Sequence, residues 1–332
     1  MARVGVLGAG FMGSTHAGIY KQLASAQLVA VADANRPLAD ELAGKHGVRA
    51  YYDIDSLLAD PEIEAVDVCL PTFLHERCVL GAAKQGKHVL CEKPVALSID
   101  QVDKMIDAVD KAGVISMVGQ VIRFWPQYVA IHDLLRKGEL GDPLMVTATR
   151  LSAPPAWGNW FKDPKLSGGA VLDLHIHDLD YVYWLLGMPK SVYAVGLQGE
   201  MGAWDYVQTS LTFDKARAVV EASFLMPKGF PFQMAVRVMG SKATAEYRFR
   251  VLGQVGERSQ AETELRLYRP DEPAQSLPSA EKDAYVAELE YFVQCLNERR
   301  QPRVATLRQA RDTLRIALAA RRSAETGQAV VP

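Results

Sequence analysis

Two segments of the chain place ionisable side chains at spacings that suit proton transfer. Glu92-Lys93-Pro94 follows a short apolar run, and Asp173 lies four residues before His177 in a helical pattern. Residues four apart share one face of a helix, where a carboxylate can orient an imidazole and raise its basicity. The ammonium of Lys93 can hydrogen-bond a substrate hydroxyl and ease the loss of its proton. These residues predict general acid–base chemistry.

Each segment also has a simpler interpretation. Glu92 and Lys93 could form a surface ion pair before a turn-forming proline, and His177 could satisfy a buried polar network. The run His175-Ile176-His177-Asp178 looks like a metal-binding sequence. Zinc ligands on a helix favour a spacing of four residues, however, and no cysteine lies nearby in the sequence, so we predict no metal site.

A glycine-rich turn near the amino terminus predicts a dinucleotide site. Gly8-Ala9-Gly10-Phe11-Met12-Gly13 follows one apolar run directly and opens a helical segment. The first glycine allows a tight turn, the second admits a pyrophosphate, and the third allows close packing of helix on strand. The helix N-terminus adds free N–H groups for the phosphates. We assign cofactor binding to Gly8, Gly10, Phe11, Met12 and Gly13.

The nature of the dinucleotide follows from Asp33, which ends the second apolar run 20 residues after Gly13. A carboxylate there accepts hydrogen bonds from the adenosine ribose and repels a 2′-phosphate, which predicts NAD. Arg36 lies three residues further on and could pair with a 2′-phosphate, so use of NADP stays open. The simpler interpretation is a glycine turn that binds no ligand.

The elements that position these groups follow from the periodicity of the apolar residues. Five short apolar runs without polar alternation predict strands that are covered on both faces. The helical segments between them include one with a capping box at Ser98 and Gln101 and a C-cap at Gly113. The pattern predicts an α/β, doubly wound parallel sheet, in which ligands bind beyond the carboxyl ends of the strands. The runs are Val4–Leu7, Leu28–Ala32, Ala65–Leu70, Val89–Cys91 and Val114–Val118.

The rest of the chain has a different pattern, which predicts a second domain. A long helical pattern covers Gly169 to Leu186. Two more helices follow, with apolar stripes at Val286, Leu289, Val293 and Leu296 and at Leu307, Ala310, Leu314 and Leu318. Between them, alternating runs with short connections predict an antiparallel meander. We divide the chain into a dinucleotide-binding domain, 1–122, and a substrate-binding and oligomerisation domain of the α+β class, 123–332. The alternating runs are Ser191–Gly199, Tyr206–Phe213, Ala216–Phe224, Gln233–Met239, Ala243–Phe249 and Thr263–Tyr268.

Composition narrows the class of protein. The 37 Lys+Arg nearly balance the 39 Asp+Glu, and 49% of the residues are hydrophobic, as is typical of a soluble globular protein. A nucleic-acid-binding protein would normally have an excess of basic residues, so this class is excluded. We find no run long enough to span a membrane and no signal-peptide pattern, and we expect a cytoplasmic location. The four cysteines form no disulfide framework; Cys69 and Cys91 are expected to be buried hydrophobes, and His16 a packing residue.

Five motifs in order give the chain a resemblance to the Gfo/Idh/MocA family of oxidoreductases. The motifs lie at Gly8–Gly13, Leu70–His75, Gly86–Pro94, Arg123–Pro126 and Gly168–His177, so the resemblance covers nearly the whole chain. It implies an N-terminal Rossmann domain and a C-terminal α+β domain with a large, mostly antiparallel open sheet. It also implies NAD(P)-dependent oxidation or reduction of a sugar, inositol or related polyol.

The resemblance also implies roles for individual residues. Lys93 would contact both the nicotinamide ribose and the substrate, often beside a cis Lys–Pro bond, and Asp173 and His177 would form the acid–base site. Pro71, Thr72 and His75 match the loop beside the nicotinamide-side ribose, and Glu92 would lie beside the same ring. His175 stands where many members carry a small residue, and we expect it to narrow the pocket or contact substrate.

A mechanism follows as a hypothesis. His177 or Lys93 takes the hydroxyl proton while hydride passes to the nicotinamide, and Asp173 orients the imidazole. Substrate contacts are predicted for Trp157 and Asn159, whose segment could instead be a hydrophobic staple, and for Arg123, which could instead form an interdomain salt bridge.

Two other functions share this architecture. One is an NAD-dependent glycosidase that acts through transient oxidation and releases no net NADH. The other is a regulator that binds NAD(P) without catalysis, which the presence of Lys93, Asp173 and His177 disfavours.

We also predict a homodimer or homotetramer that packs through the second sheet. The proposed strands carry apolar residues at both odd and even positions, so both faces of the sheet would be apolar. An exposed apolar sheet face of that size would be an association site. These residues are Val192, Val195, Leu211, Phe213, Val219 and Phe224.

Overall fold

The computed structural model describes residues 1–154, 160, 163–200, 202–252, 260–278 and 280–332. The chain forms two compact units, each of which is described by itself. The first unit comprises Met1–Val121 and Asp283–Arg311, and the second comprises Ile122–Lys282 and Asp312–Pro332. The predicted domains are two consecutive segments, whereas residues 283–311 return to the first unit. The predicted functional domains, 1–122 and 123–332, stay a prediction.

The first unit is built on a six-stranded sheet in the order β3-β2-β1-β4-β5-β6, with every pair parallel. This is the strand order of the Rossmann fold, and it confirms the predicted doubly wound sheet. Each of the five predicted runs overlaps a strand, and the three-residue edge strand β3 is the one that the periodicity missed. The strands are β1 Ala2–Leu7, β2 Ala26–Ala32, β3 Arg49–Tyr51, β4 Ala65–Val68, β5 His88–Glu92 and β6 Ser116–Gly119.

Helices connect these strands, and local sequence signals define their ends. The predicted capping box is confirmed at the start of α5, where the Ser98 side chain and Gln101 exchange hydrogen bonds with each other's backbone N–H groups. Gly113 ends that helix in the left-handed conformation that a C-cap requires. The helices of this unit are α1 Phe11–Gln22, α2 Arg36–His46, α3 Ile54–Ala59, α4 His75–Lys84, α5 Ile99–Ala112 and α10 Ala284–Asn297.

The second unit contains an eight-stranded sheet in the order β14-β13-β12-β11-β7-β10-β9-β8. Its pairs are antiparallel except for β7 with β10, so the mostly antiparallel sheet is confirmed. It is not a simple meander, because β7 inserts between β10 and β11 from a distant part of the chain. The strands are β7 Pro143–Leu151, β8 Ser191–Gln198, β9 Trp204–Thr212, β10 Arg217–Ser223, β11 Gln233–Gly240, β12 Thr244–Leu252, β13 Gln260–Tyr268 and β14 Gln275–Ser276.

The helix predicted over Gly169–Leu186 is interrupted. It divides at Leu174 into α8, Gly169–Asp173, and α9, His175–Leu186. Leu174 keeps right-handed helical dihedrals, with φ −101° and ψ −52°, so the interruption is slight. The other helices that include residues of this unit are α6 Pro126–Arg136, α7 Pro164–Ser167 and the C-terminal part of α11, Leu307–Thr326.

The two faces of the second sheet differ in polarity and exposure more than the sequence predicts. Helices α6, α8 and α9 pack on this sheet. Val192, Leu211, Phe213 and Phe224 are buried and Val219 is half-buried, whereas Val195 is 45% exposed. On the face with Val195, the neighbouring strands carry polar residues at paired positions, including Gln208 and Glu221. The exposed face is therefore mixed rather than continuously apolar. In the described part of the chain, no helix has the length and hydropathy to cross a bilayer.

Candidate functional site

The turn between β1 and α1 has no space for side chains at two of its glycines. Gly8 has φ +107°, and a Cβ atom there would lie 2.4 Å from the carbonyl oxygen of Cys69. A Cβ on Gly13 would lie 1.8 Å from the carbonyl oxygen of Gly8. Gly10, in contrast, faces open space, because a Cβ there would meet no atom within 4 Å. Close packing at Gly8 and Gly13 thus holds Gly10 and the helix start at an accessible surface.

The start of α1 has the features of an anion site. Gly10 is the N-cap and supplies no side chain to the first turn, which holds no acidic residue. Phe11, the first helical residue, is exposed, and the neighbouring Met12 is half-buried. A first turn without a side-chain cap and the positive end of the helix dipole favour a phosphate at this position.

Asp33 links the glycine turn to the end of β2. One carboxylate oxygen accepts a hydrogen bond from the N–H of Ala9 at 2.8 Å, and the other accepts one from the N–H of Asn35 at 2.8 Å. The acidic side chain thus lies beside the turn, as the dinucleotide motif requires. Arg36 begins α2 and places its guanidinium over the ring of Tyr52, 4.6 Å from the centroid.

His75 ties together the loops that follow β4 and β5. Its Nε2 lies 2.8 Å from the carbonyl oxygen of Leu70, and its Nδ1 lies 3.0 Å from that of Pro94. Burial lowers the pKa of His75 below its ordinary value, so the neutral ring donates to one carbonyl at a time. With Thr72 it is almost wholly buried, whereas Pro71 is half-buried. His75 therefore supports the loops and offers little surface to a cofactor.

Glu92 and Lys93, at the carboxyl end of β5, point to different environments. The peptide bond between Lys93 and Pro94 is cis. Lys93 is half-buried, but the carboxylate of Glu92 turns into the unit, where Oε2 accepts a hydrogen bond from the N–H of Lys93 at 3.0 Å. Glu92 is only 7% exposed, so its side chain offers little surface to a cofactor, and its place beside the nicotinamide-side ribose stays a prediction.

Asp173 and His177 lie in the second unit, on either side of the helix interruption at Leu174. Asp173 ends α8, and His177 lies in the first turn of α9. Both side chains are half-buried, which leaves each of them accessible to a small molecule. Their role as an acid–base pair stays a prediction.

His175 differs from these two residues because it is a core residue. Its ring is fully buried and its Nε2 lies 2.8 Å from the hydroxyl oxygen of Thr209 on β9. Burial lowers the pKa of His175 to about 3, so the ring is neutral. The predicted substrate contact of His175 is therefore not supported. Its neighbour Asp178 accepts hydrogen bonds from Arg150 at 2.7 and 3.1 Å, so the His-x-His-Asp sequence does not gather around one point.

Arg123 is also held inside the second unit. Its guanidinium donates two hydrogen bonds to Asp180 of α9, each 2.7 Å long, and Thr313 donates a third to the same carboxylate at 2.8 Å. Arg123 and Asp180 are nearly inaccessible, so Arg123 forms a structural ion pair rather than the predicted contact with substrate. Trp157 and Asn159, the remaining predicted substrate contacts, lie outside the described residues.

The first unit also contains a buried polar cluster that the sequence patterns did not predict. His16, expected to be a packing residue, makes a 2.8 Å contact with Asp67 through Nδ1, and Glu92 and Glu288 lie nearby. Two signals in the sequence could have indicated it. Asp67 interrupts the apolar run of β4, and Glu288 lies beside Leu289 in the apolar stripe of α10.

Two family models match the chain. Residues 2–120 match the model described as an oxidoreductase family with an NAD-binding Rossmann fold, GFO_IDH_MocA. Residues 128–246 match the model of the GFO/IDH/MocA C-terminal domain. The matched segments include the glycine turn, Lys93, Asp173 and His177.

Two named relatives and a solved structure agree with these models. The chain is 34% identical to the myo-inositol 2-dehydrogenase of Thermotoga maritima over 250 residues, which cover 72% of this chain and 73% of that one. It is 30% identical to the scyllo-inositol 2-dehydrogenase (NAD(+)) of Bacillus subtilis over 341 residues, with 99% and 95% covered. The structure of an NAD binding oxidoreductase from Klebsiella pneumoniae has a TM-score of 0.86 at 26% identity, with 99% and 98% covered.

The glycine turn yields a testable prediction. Gly13→Ala should abolish measurable binding of the dinucleotide and lower the thermal stability, because its Cβ would overlap the carbonyl oxygen of Gly8. Gly18→Ala in the same helix is the matched control, since its Cβ meets no atom within 4 Å and alanine favours a helix. Calorimetric titration with NAD+ and thermal unfolding measure the two effects. Equal binding by both variants would contradict the role of the turn.

Proposed function

Since the chain belongs to the GFO/IDH/MocA family of NAD(P)-dependent oxidoreductases, we propose that it transfers a hydride between the cofactor and a secondary alcohol or ketone of a sugar, inositol or related polyol. One observation carries the proposal. The start of α1, which has no side-chain cap, lies with Asp33 and Lys93 at the carboxyl edge of one parallel sheet. That edge is where such sheets bind dinucleotides.

The residues of this edge fit NAD. The open space at Gly10 and the N–H groups of the first turn of α1 would hold the pyrophosphate, and Asp33 would accept hydrogen bonds from the adenosine ribose. Pro71, at the loop that His75 supports, would border the other ribose. When bound, NAD supplies the acceptor or donor of the hydride.

Three side chains supply the proton chemistry in this proposal. His177 takes the proton of the substrate hydroxyl during oxidation, and Asp173 orients its imidazole. Lys93 donates a hydrogen bond to a substrate oxygen as negative charge develops there. The near balance of acidic and basic residues in the chain suits a neutral polyol, which is recognised by hydrogen bonds rather than by a long-range field.

The proposed activity is tested by NADH formation from inositols, pyranoses and sugar acids with NAD+. Wild type should oxidise at least one neutral polyol of this panel. With that substrate, Lys93→Ala and His177→Ala should each lower kcat by about 10²–10⁴-fold, the range of general acid–base catalysis. Binding of NAD+ should be retained in His177→Ala, because the proton-transfer residue is not assigned to the cofactor.

The control for these variants is Lys104→Ala, which removes an exposed lysine of the first unit and should leave kcat unchanged. Wild-type turnover by both the Lys93 and the His177 variants would show that the catalytic assignment is wrong. Release of an aglycone from a glycoside without net NADH would show instead the alternative glycosidase reaction.

The cofactor preference yields a separate prediction. Asp33→Asn keeps an oxygen that can accept a backbone N–H but removes the negative charge that repels a 2′-phosphate. The ratio of kcat/KM for NADP+ to that for NAD+ should rise about tenfold, which corresponds to ~1.4 kcal/mol. Arg36→Ala should lower that ratio if Arg36 pairs with the 2′-phosphate. An unchanged ratio in Asp33→Asn would show that Asp33 does not select the cofactor.

Self-association through the second sheet is the last part of the proposal. Tyr193, Val195 and Leu197 alternate along β8 and are 44%, 45% and 61% exposed. We propose that this row of side chains packs against another copy of the chain in a homodimer or homotetramer. Val195→Glu combined with Leu197→Glu should lower the mass measured by light scattering at micromolar concentration. A wild-type protein that is monomeric under these conditions would refute it.

A further inference from the structure

Four ionisable side chains meet in the interior of the first unit, each from a different element. They are His16 of α1, Asp67 of β4, Glu92 of β5 and Glu288 of α10. His16, Asp67 and Glu288 are fully buried, and Glu92 is nearly so. Helix α10 packs against α1 and β1, so residues far apart in the sequence form this cluster. Three carboxyl groups and a single imidazole thus share one buried space.

The contacts within the cluster are unequal. His16 Nδ1 lies 2.8 Å from a carboxylate oxygen of Asp67. On the other side of the ring, Nε2 lies 3.4 Å from Glu92 Oε1, a contact without hydrogen-bond geometry. Both carboxyl oxygens of Glu288 lack a hydrogen-bond partner among the described residues. One carboxyl oxygen of Glu288, one of Glu92 and a ring nitrogen of His16 nevertheless lie within 4.8 Å of one another.

Burial and the repulsion of neighbouring carboxylates change the pKa of Glu288 in the same direction. Burial lowers the pKa of His16, but Asp67 and Glu92 outweigh it, so the net pKa is raised and the ring tends to be an imidazolium. One imidazolium can offset the charge of one carboxylate only, and two adjacent buried carboxylates repel each other. Burial, together with Glu92 and Asp67, raises the pKa of Glu288 well above its ordinary value. The group without a partner is thus the one that most resists ionisation.

We propose that Glu288 is a neutral carboxylic acid at pH 7 and that it positions Glu92 by donating its proton toward the Glu92 carboxylate. The buried acid acts as a hydrogen-bond donor, and His16 balances the charge between Asp67 and Glu92. A bound divalent cation could also link these atoms, but a proton satisfies the cluster without bringing a cation into a fully enclosed space.

The position of Glu92 matters because its carboxylate holds the end of β5. Glu92 Oε2 accepts the hydrogen bond from the N–H of Lys93, so the carboxylate sets the backbone from which the Lys93 side chain leaves. The adjacent strand makes room for it, since a Cβ on Gly119 would lie 2.8 Å from Glu92 Oε1. The effect on catalysis rests on the proposed function of Lys93, whereas the protonation of Glu288 does not.

The other ionisable groups near the cluster do not offer a competing proton between pH 5 and 8. Burial raises the pKa of the Tyr20 hydroxyl and of the Cys69 and Cys91 thiols, so all three stay neutral. The ring of Tyr285 lies 6.2 Å from that of His16. Within the cluster itself, burial raises the pKa of Glu92 as well, although the charges of His16 and Lys93 oppose that rise. A titration that is lost on neutralising Glu288 therefore belongs to the adjacent carboxyl groups of Glu288 and Glu92, and not to these neighbours.

The decisive experiment compares the unfolding equilibrium of wild type and Glu288→Gln by chemical denaturation across pH. Unfolded Glu288 loses its proton near pH 4.5, whereas the folded group keeps it to a much higher pH. The folded wild type therefore loses stability as the pH rises above about 4.5, and glutamine removes this loss. The ratio of unfolding constants, wild type over variant, should increase by up to tenfold per pH unit.

Glu281→Gln is the matched control, because Glu281 is exposed and precedes the same helix. Its ratio to wild type should not change with pH above about 5, where exposed carboxyl groups are ionised in both states. A pH-independent ratio for Glu288→Gln between about pH 5 and 8 would overturn the proposal. A stoichiometric divalent metal in purified wild type that is absent from Glu288→Gln would also overturn it.

Infrared spectroscopy and turnover provide two further readouts. Wild type at pH 7 should show the carbonyl band of a protonated carboxylic acid, and its absence would refute a neutral Glu288 even if the variant failed to fold. Glu288→Gln, which retains a donor, should keep kcat within about threefold of wild type, whereas Glu288→Leu should lower it about tenfold or more. Equal kcat in both variants would refute the positioning role. The infrared spectrum and the unfolding data test the protonation of Glu288 independently of the proposed reaction.

Discussion

The turn from β1 into α1 leaves no space for a side chain at Gly8 or Gly13, and the arrangement of the first unit depends on this close approach. Because the carbonyl of Gly8 occupies the position that a Cβ of Gly13 would take, the helix begins directly above the end of β1. Asp33, at the end of β2, accepts a hydrogen bond from the same turn. Residues that follow β4 and β5 reach that edge as well, since the carboxyl ends of parallel strands lie on one side of the sheet.

Buried ionisable side chains have different partners in the two units. In the second unit, two arginines hold α9 through Asp178 and Asp180, with two hydrogen bonds in each pair. Removing one partner of such a pair typically costs about 3–5 kcal/mol, because the other charge stays buried and unpaired. These pairs therefore keep α9, and with it His177, in a defined position within that unit.

The cluster of His16, Asp67, Glu92 and Glu288 in the first unit buries three carboxyl groups without an arginine among its members. His16 contacts Asp67 and Glu92, but Glu288 adds an acid for which the described residues supply no hydrogen-bond partner. A proton on Glu288 removes the repulsion that a further carboxylate would cause. The cluster lies behind Lys93 rather than beside it, so its influence on chemistry would pass through the backbone hydrogen bond of Glu92.

Local patterns in the sequence were enough to predict the parallel sheet, the glycine turn, Asp33, the capped helix α5 and the edge at which Lys93 emerges. These features rest on periodicity, glycine spacing and capping residues, which act over a few neighbouring positions. Only the folded chain shows that β7 lies between β10 and β11 and that Glu92 points inward. The same is true of the burial of His175 and Arg123. Folding also brought Glu288 beside His16, across more than 270 positions of the chain. Each of these depends on which distant residues pack together, and local patterns carry no information about that partner.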